Sequence, residues 1–136
     1  MRTMTRALFA CALLSLAASP ARSGTTAPDK LEHPAEVALI EGPEGWSYQH
    51  FPSNLRLYVF DGDSAGKSAC NLGCSGAWPP LIAPDDAPLV GDWTKVTRED
   101  GRKQWAYKGH PVYLRYHDSP VVTTGNGIEG WHFLEP

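Results

Sequence analysis

Cys70 and Cys74 are the residues of this chain whose type and spacing best suit chemistry. On a helical turn, residues four apart have Cα atoms roughly 6 Å from each other, which a disulfide tolerates. The loop closed would be short, so its stabilisation belongs toward the low end of about 2–4 kcal/mol. As thiolates beside an imidazole, the same pair would instead suit Cu(I), with His110, His117 and His132 as candidate third ligands. C-x-x-x-C is not the C-x-x-C of thioredoxin-like enzymes, so a structural bridge is the favoured reading. Asp61, Asp63 and Ser64, partly echoed by Asp118 and Ser119, raise cation binding. A calcium loop needs more oxygen ligands and a later carboxylate, where this chain has Lys67. The expectation is that Asp61 and Asp63 bond turn amides.

Other chemistries lack a pattern. Fifteen acidic residues give no defined carboxylate pair for glycoside hydrolysis, and no G-x-S-x-G elbow accompanies the serines and histidines. Gly125-Asn126-Gly127 lacks the strand-to-helix setting of a phosphate loop. The large aromatic set, including Tyr58, Phe60, Trp78, Trp93, Trp105, Tyr107, Tyr113, Tyr116 and Trp131, could line a groove, but a small domain needs most of these rings for its core. Trp131-His132 is the pair expected at the surface. No cofactor is predicted.

The elements that must position these residues are short. Glu36 to Ile40 and Trp46 to Phe51 read as strands around the turn Glu41-Gly-Pro-Glu-Gly45. Between Leu55 and Phe60, Leu55, Leu57 and Val59 alternate with Arg56, Tyr58 and Phe60, which predicts an internal strand with two apolar faces. A short helical turn is expected within Ser64 to Gly73, closed by Pro79-Pro80. Trp93 to Thr97 and Gln104 to Tyr107 form a hairpin about Asp100-Gly101, followed by strands at Val112 to Tyr116 and Trp131 to Leu134. With 13 Gly and 12 Pro among 136 residues, these turns predict an all-β fold of short antiparallel strands.

At the N-terminus, Arg2 and Arg6 precede an apolar run from Ala7 to Ala18 and small residues to Ser23, the layout of a secretory signal peptide over 1–23. The run is too short for the roughly 20 residues of a spanning helix. Cys11 lies inside it, too early for a lipid-modified cysteine, so membrane attachment by lipidation at Cys11 is the disfavoured reading. Residues 24–35 read as a flexible leader and 36–136 as one β-rich domain. Cleavage after Ser23 leaves nine basic against 15 acidic residues, a formal charge of −6, which argues against nucleic acid as a partner. Cys70 and Cys74 would remain as a pair in an oxidising compartment.

Tyr58-Val-Phe60-Asp-Gly-Asp63 forms a Y-x-[FWY]-x-x-D motif, and the chain resembles the secreted repeat of unknown function family, small exported bacterial proteins that are often lipoprotein-like. Further matches are Gly66-Lys67-Ser68, the paired cysteines, Trp78-Pro79-Pro80-Leu81, Gly91-Asp92-Trp93, Thr97-Arg98 through Asp100-Gly101, and Gln104-Trp105-Ala106-Tyr107. Tyr113, Asp118 and Trp131 echo Tyr58, Asp63 and Trp78, so two related units are expected, about 46–83 and 93–136. The second departs from the motif: Arg115 stands where an aromatic is wanted, and Pro120 to Gly125 lacks an Asp. The resemblance implies export, two units and a paired-cysteine turn, but no activity. The resulting expectation is a periplasmic or secreted, non-catalytic module that binds an envelope protein or small ligand. The alternative is a periplasmic redox or metal-handling protein, copper or haem related, that uses Cys70 and Cys74 with a histidine.

Overall fold

The computed structural model describes residues 31–136. The expected signal peptide over 1–23, Cys11 and most of the 24–35 leader lie outside the described residues. The remainder is all-β apart from one short helix. Strands β1 (Val37–Gly42), β2 (Gly45–His50) and β3 (Leu55–Arg56) form one antiparallel sheet. Strands β5 (Trp93–Thr97), β6 (Lys103–Tyr107) and β7 (His110–Pro111) form a second, and β4 (Tyr58–Phe60) pairs with β8 (Trp131–Phe133) between them.

Backbone hydrogen bonds recur in matched sets. Tyr48 donates to Leu134, Leu134 to Leu57 and Leu57 back to Tyr48, closing a triangle of main-chain bonds. Trp105, Leu81 and Val112 close a second triangle in the same sense. Each triangle draws two members from one part of the chain and the third from the other. At the centre Tyr58 and Tyr113 exchange reciprocal N–H···O bonds, both 2.9 Å.

Alternation explains how one layer serves two cores. Side chains of a strand point to opposite faces, and Leu57, Val59, Val112, Leu114 and Leu134 pack with the cluster containing Tyr48, Trp93, Trp105 and Tyr107. Their neighbours Tyr58, Phe60, Tyr113, Trp131 and Phe133 pack on the opposite side with Cys70 and Trp78. Both faces are buried, as the apolar alternation predicts.

Four local expectations are refined or corrected. The expected continuous strand Leu55–Phe60 is divided at Leu57, because Leu57 passes from β2 to the segment around Leu134 in its hydrogen bonding. The one short helical turn lies at the paired cysteines as expected, but as α1 (Gly73–Ala77) it starts where the Ser64–Gly73 segment ends, since Asp63 Oδ1 captures the Ala69 amide at 2.7 Å and holds that segment across the acidic turn. Val112–Tyr116 forms no regular strand. It runs beside Pro79-Pro80, which have no amide to donate, and is held by isolated bonds from Leu114 to Pro79 and Tyr116 to Ala77. The hairpin turn is one residue wider than a two-residue Asp-Gly turn: Arg98 and Arg102 bond across it, and Gly101 takes φ 84°.

Candidate functional site

The motif residues meet in a crossed arrangement. Tyr58 Oη donates to Asp118 Oδ2 at 2.5 Å, and Tyr113 Oη donates to Asp63 Oδ2 at 2.8 Å. The second oxygen of each carboxylate accepts an amide six residues onward, Thr124 for Asp118 and Ala69 for Asp63, both at 2.7 Å. Asp63 therefore bonds an amide beyond its turn, and Asp61 instead accepts from exposed His132 Nε2 at 2.8 Å. Neither matches the expected turn-amide role. Burial raises the pKa of Asp63, opposed by the bonds from Ala69 and Tyr113. Burial also lifts Tyr113 to about 12 and pushes Tyr58 above the ordinary phenol value. These hydroxyls remain protonated donors near neutral pH.

Between the two crossings the rings form a stack. Trp78 and Trp131 lie parallel, 3.7 Å between centroids and 2° apart in plane. Phe60 stacks on Trp131 at 4.5 Å, and the Arg115 guanidinium lies over Trp78 at 4.5 Å. Arg115 thus takes the place that an aromatic would hold in the motif, because a planar guanidinium also covers an indole face. Gly125 is required by this stack: a Cβ there would meet Trp78 Cη2 at 2.6 Å and Tyr58 Cε1 at 2.8 Å. Trp131 is buried, so the expectation of an exposed Trp131-His132 pair holds for His132 alone.

Cys70 and Cys74 are joined by a disulfide with Cα atoms 5.1 Å apart. Cys70 precedes α1 and Cys74 lies within it, so the bridge anchors a five-residue helix that lacks a side-chain cap. Leu72, inside the bridged loop, takes φ 49°, while Gly127, at the matching distance after Asp118, takes φ 85°. As a disulfide the cysteines offer no thiolate to a metal. His110 lines a groove, His117 contacts the Tyr116 ring and His132 bonds Asp61. Among the described residues no group of three or more His, Cys, Asp or Glu side chains is placed to hold a metal.

Sequence reasoning missed two features. Arg98 is buried, and its guanidinium donates to Gln104 Oε1 at 2.6 Å, Cys70 O at 2.8 Å, Ser68 Oγ at 3.1 Å and Asn71 Oδ1 at 3.1 Å. Ser68 Oγ also bonds Tyr113 Oη at 2.7 Å, so the buried cation reaches Asp63 through two hydroxyls. Thr97-Arg98 was visible as a motif, but a hairpin-edge arginine carries no sequence sign of turning inward. The second feature is an open groove of about 340 Å³. Phe60, Tyr107, Val59 and Leu134 form its apolar wall, and Asp61, Asp63, Glu135, Lys108 and His110 its polar rim.

Residues 94–135 match a family described as a secreted repeat of unknown function. That description accords with export. No curated protein and no solved structure matches the chain. No helix among the described residues is long and apolar enough to cross a membrane.

Proposed function

We propose that this is a non-catalytic binding module, exported to the periplasm or beyond, built as one domain of two interlocked units from residue 36 onward. The observation that carries this reading is the use of the motif side chains. Tyr58, Asp118, Tyr113 and Asp63 bond one another, Trp78 and Trp131 stack, and Cys70 is tied to Cys74. The residues with the greatest chemical capacity are thereby engaged in holding the fold. A binding function then falls to the surface, where the Phe60 and Tyr107 groove combines apolar walls with a charged rim of Asp61, Glu135, Lys108 and His110. That mixture suits a small ligand or peptide side chain with an apolar body and a polar end.

The experiment is intact mass, native and denatured, of protein recovered from its exported compartment, with a visible absorption spectrum of the same sample. The reading requires the mass of the cleaved disulfide form and a colourless protein. Free thiols with a bound metal or chromophore would overturn it in favour of copper or haem handling. In a parallel test, replacing both cysteines with serine should lower stability and leave the groove able to bind.

A further inference from the structure

Divided between Ala83 and Gly91, the chain falls into two parts, each of which keeps one three-stranded sheet of its own, β1–β2–β3 or β5–β6–β7. What joins the sheets crosses the division. β4 pairs with β8, Tyr58 and Tyr113 exchange main-chain bonds, Trp78 stacks on Trp131, and Arg98 donates to the Cys70 carbonyl. The groove is split in the same way, with Phe60 and Asp61 before the division and Tyr107, Lys108 and Glu135 after it. A second copy of the chain presents identical surfaces, so a pair that trades halves makes all these contacts between chains unaltered. Only the connecting segment differs between the two arrangements.

That segment, Pro84-Asp85-Asp86-Ala87-Pro88, is bent against its own preference. Two prolines favour an extended backbone, and the adjacent, exposed Asp85 and Asp86 repel one another. Here the segment instead turns back on itself, with the Ala87 amide donating to Pro84 O at 3.1 Å. Ala87 rests on the core around Trp93 and Trp105. Lys95 of β5 clasps the turn: its ammonium donates to Ala87 O at 2.7 Å, Asp85 O at 2.9 Å and Pro84 O at 3.3 Å. Those three bonds engage every proton of the ammonium. We propose that residues 84–88 are a hinge at which two copies of this chain exchange halves, with Lys95 as the clasp that favours the closed monomer. In the exchanged dimer each groove takes Phe60 and Asp61 from one copy and Tyr107, Lys108 and Glu135 from the other. The exchange stands whatever the groove binds.

The test is light-scattering chromatography of the full mature protein after refolding at about 1 mM, where association is favoured by mass action. The parent should be mostly monomer with a minor dimer. Lys95→Met removes the clasp and should raise the association constant at least about tenfold. Deleting Asp85 and Asp86 leaves too little chain for the turn and should give dimer almost alone. Val59 and His132 are partners across β4 and β8, so Val59→Cys with His132→Cys reports which chain supplies each strand. Oxidation should link the two cysteines within one chain in the monomer and between chains in the dimer, read on a denaturing gel without reductant. Should Lys95→Met fail to fold, the deletion decides by the same readouts. No dimer of the parent, an unchanged dimer fraction in folded Lys95→Met, a monomeric deletion variant, or a dimer whose links stay within single chains would each overturn the proposal.

Discussion

Tyr113 shows how a single residue can carry both a motif and a fold. Its hydroxyl meets the side chains of Asp63 and Ser68 inside the protein, whereas Asp118 is the side-chain partner of the Tyr58 hydroxyl. Hydrogen bonds to charged groups contribute about 1.5–3 kcal/mol, and removing one leaves a carboxylate short of a donor. Tyr113→Phe should therefore cost more than Tyr58→Phe, both in that range, measured by urea unfolding. Asp63 gives a signed pH dependence. Its folded pKa is raised by burial above the unfolded value of 3.8, so the native state holds the proton more tightly. The stabilisation is fully present below the unfolded value and is lost as pH rises through the higher folded one. Wild type should thus gain stability relative to Asp63→Asn as pH falls from about 7 to about 4, in paired denaturation curves. A gap that stays constant, or widens the other way, would refute the assignment.

Among the elements, α1 depends most on its surroundings. It has five residues, two of them glycine, and no side-chain cap, so propensity cannot sustain it. The disulfide holds it, and replacing Cys70 and Cys74 with serine should cost about 2 kcal/mol by loop closure, with the rest of the fold retained. Calorimetry with and without reductant would check this. The segment around Arg115 presents a different case. Its guanidinium covers Trp78 as Phe60 covers Trp131, so Arg115→Phe should fold with stability equal to or above the parent. Arg115→Glu should lose about 0.5–2 kcal/mol through the missing cation–π contact. A large loss in Arg115→Phe would show that the charge, rather than the flat surface, matters there.

At the scale of the molecule, neither half can satisfy itself. β8 pairs with β4, Trp131 stacks on Trp78, and the acceptor of each motif tyrosine lies across the chain midpoint. The segment matched as a secreted repeat, 94–135, therefore contains one side of each contact. A peptide of residues 93–136 should show no cooperative unfolding as a monomer, because its apolar face and its carboxylate are left open. Adding a 31–92 peptide should restore the near-ultraviolet dichroism of packed tryptophan. Independent folding of 93–136 as a monomer would show that the crossed contacts are dispensable.

The strand pattern, the Asp-Gly hairpin, the disulfide and the two-faced aromatic layer were legible in the residues, because alternation and turn chemistry are local properties. The spacing of Tyr58 to Asp63 and Tyr113 to Asp118 was also visible, but spacing named no partner for either hydroxyl. Tertiary structure decided it: the reciprocal pairing of Tyr58 with Tyr113 places each hydroxyl over the other turn. It likewise made Arg115 equivalent to a ring and turned Arg98 inward. The sequence by itself determined which surfaces had to be buried. Which partner buried each one was decided only when the two halves met, since hydrogen bonds and ring stacks depend on positions in space that residue spacing leaves open.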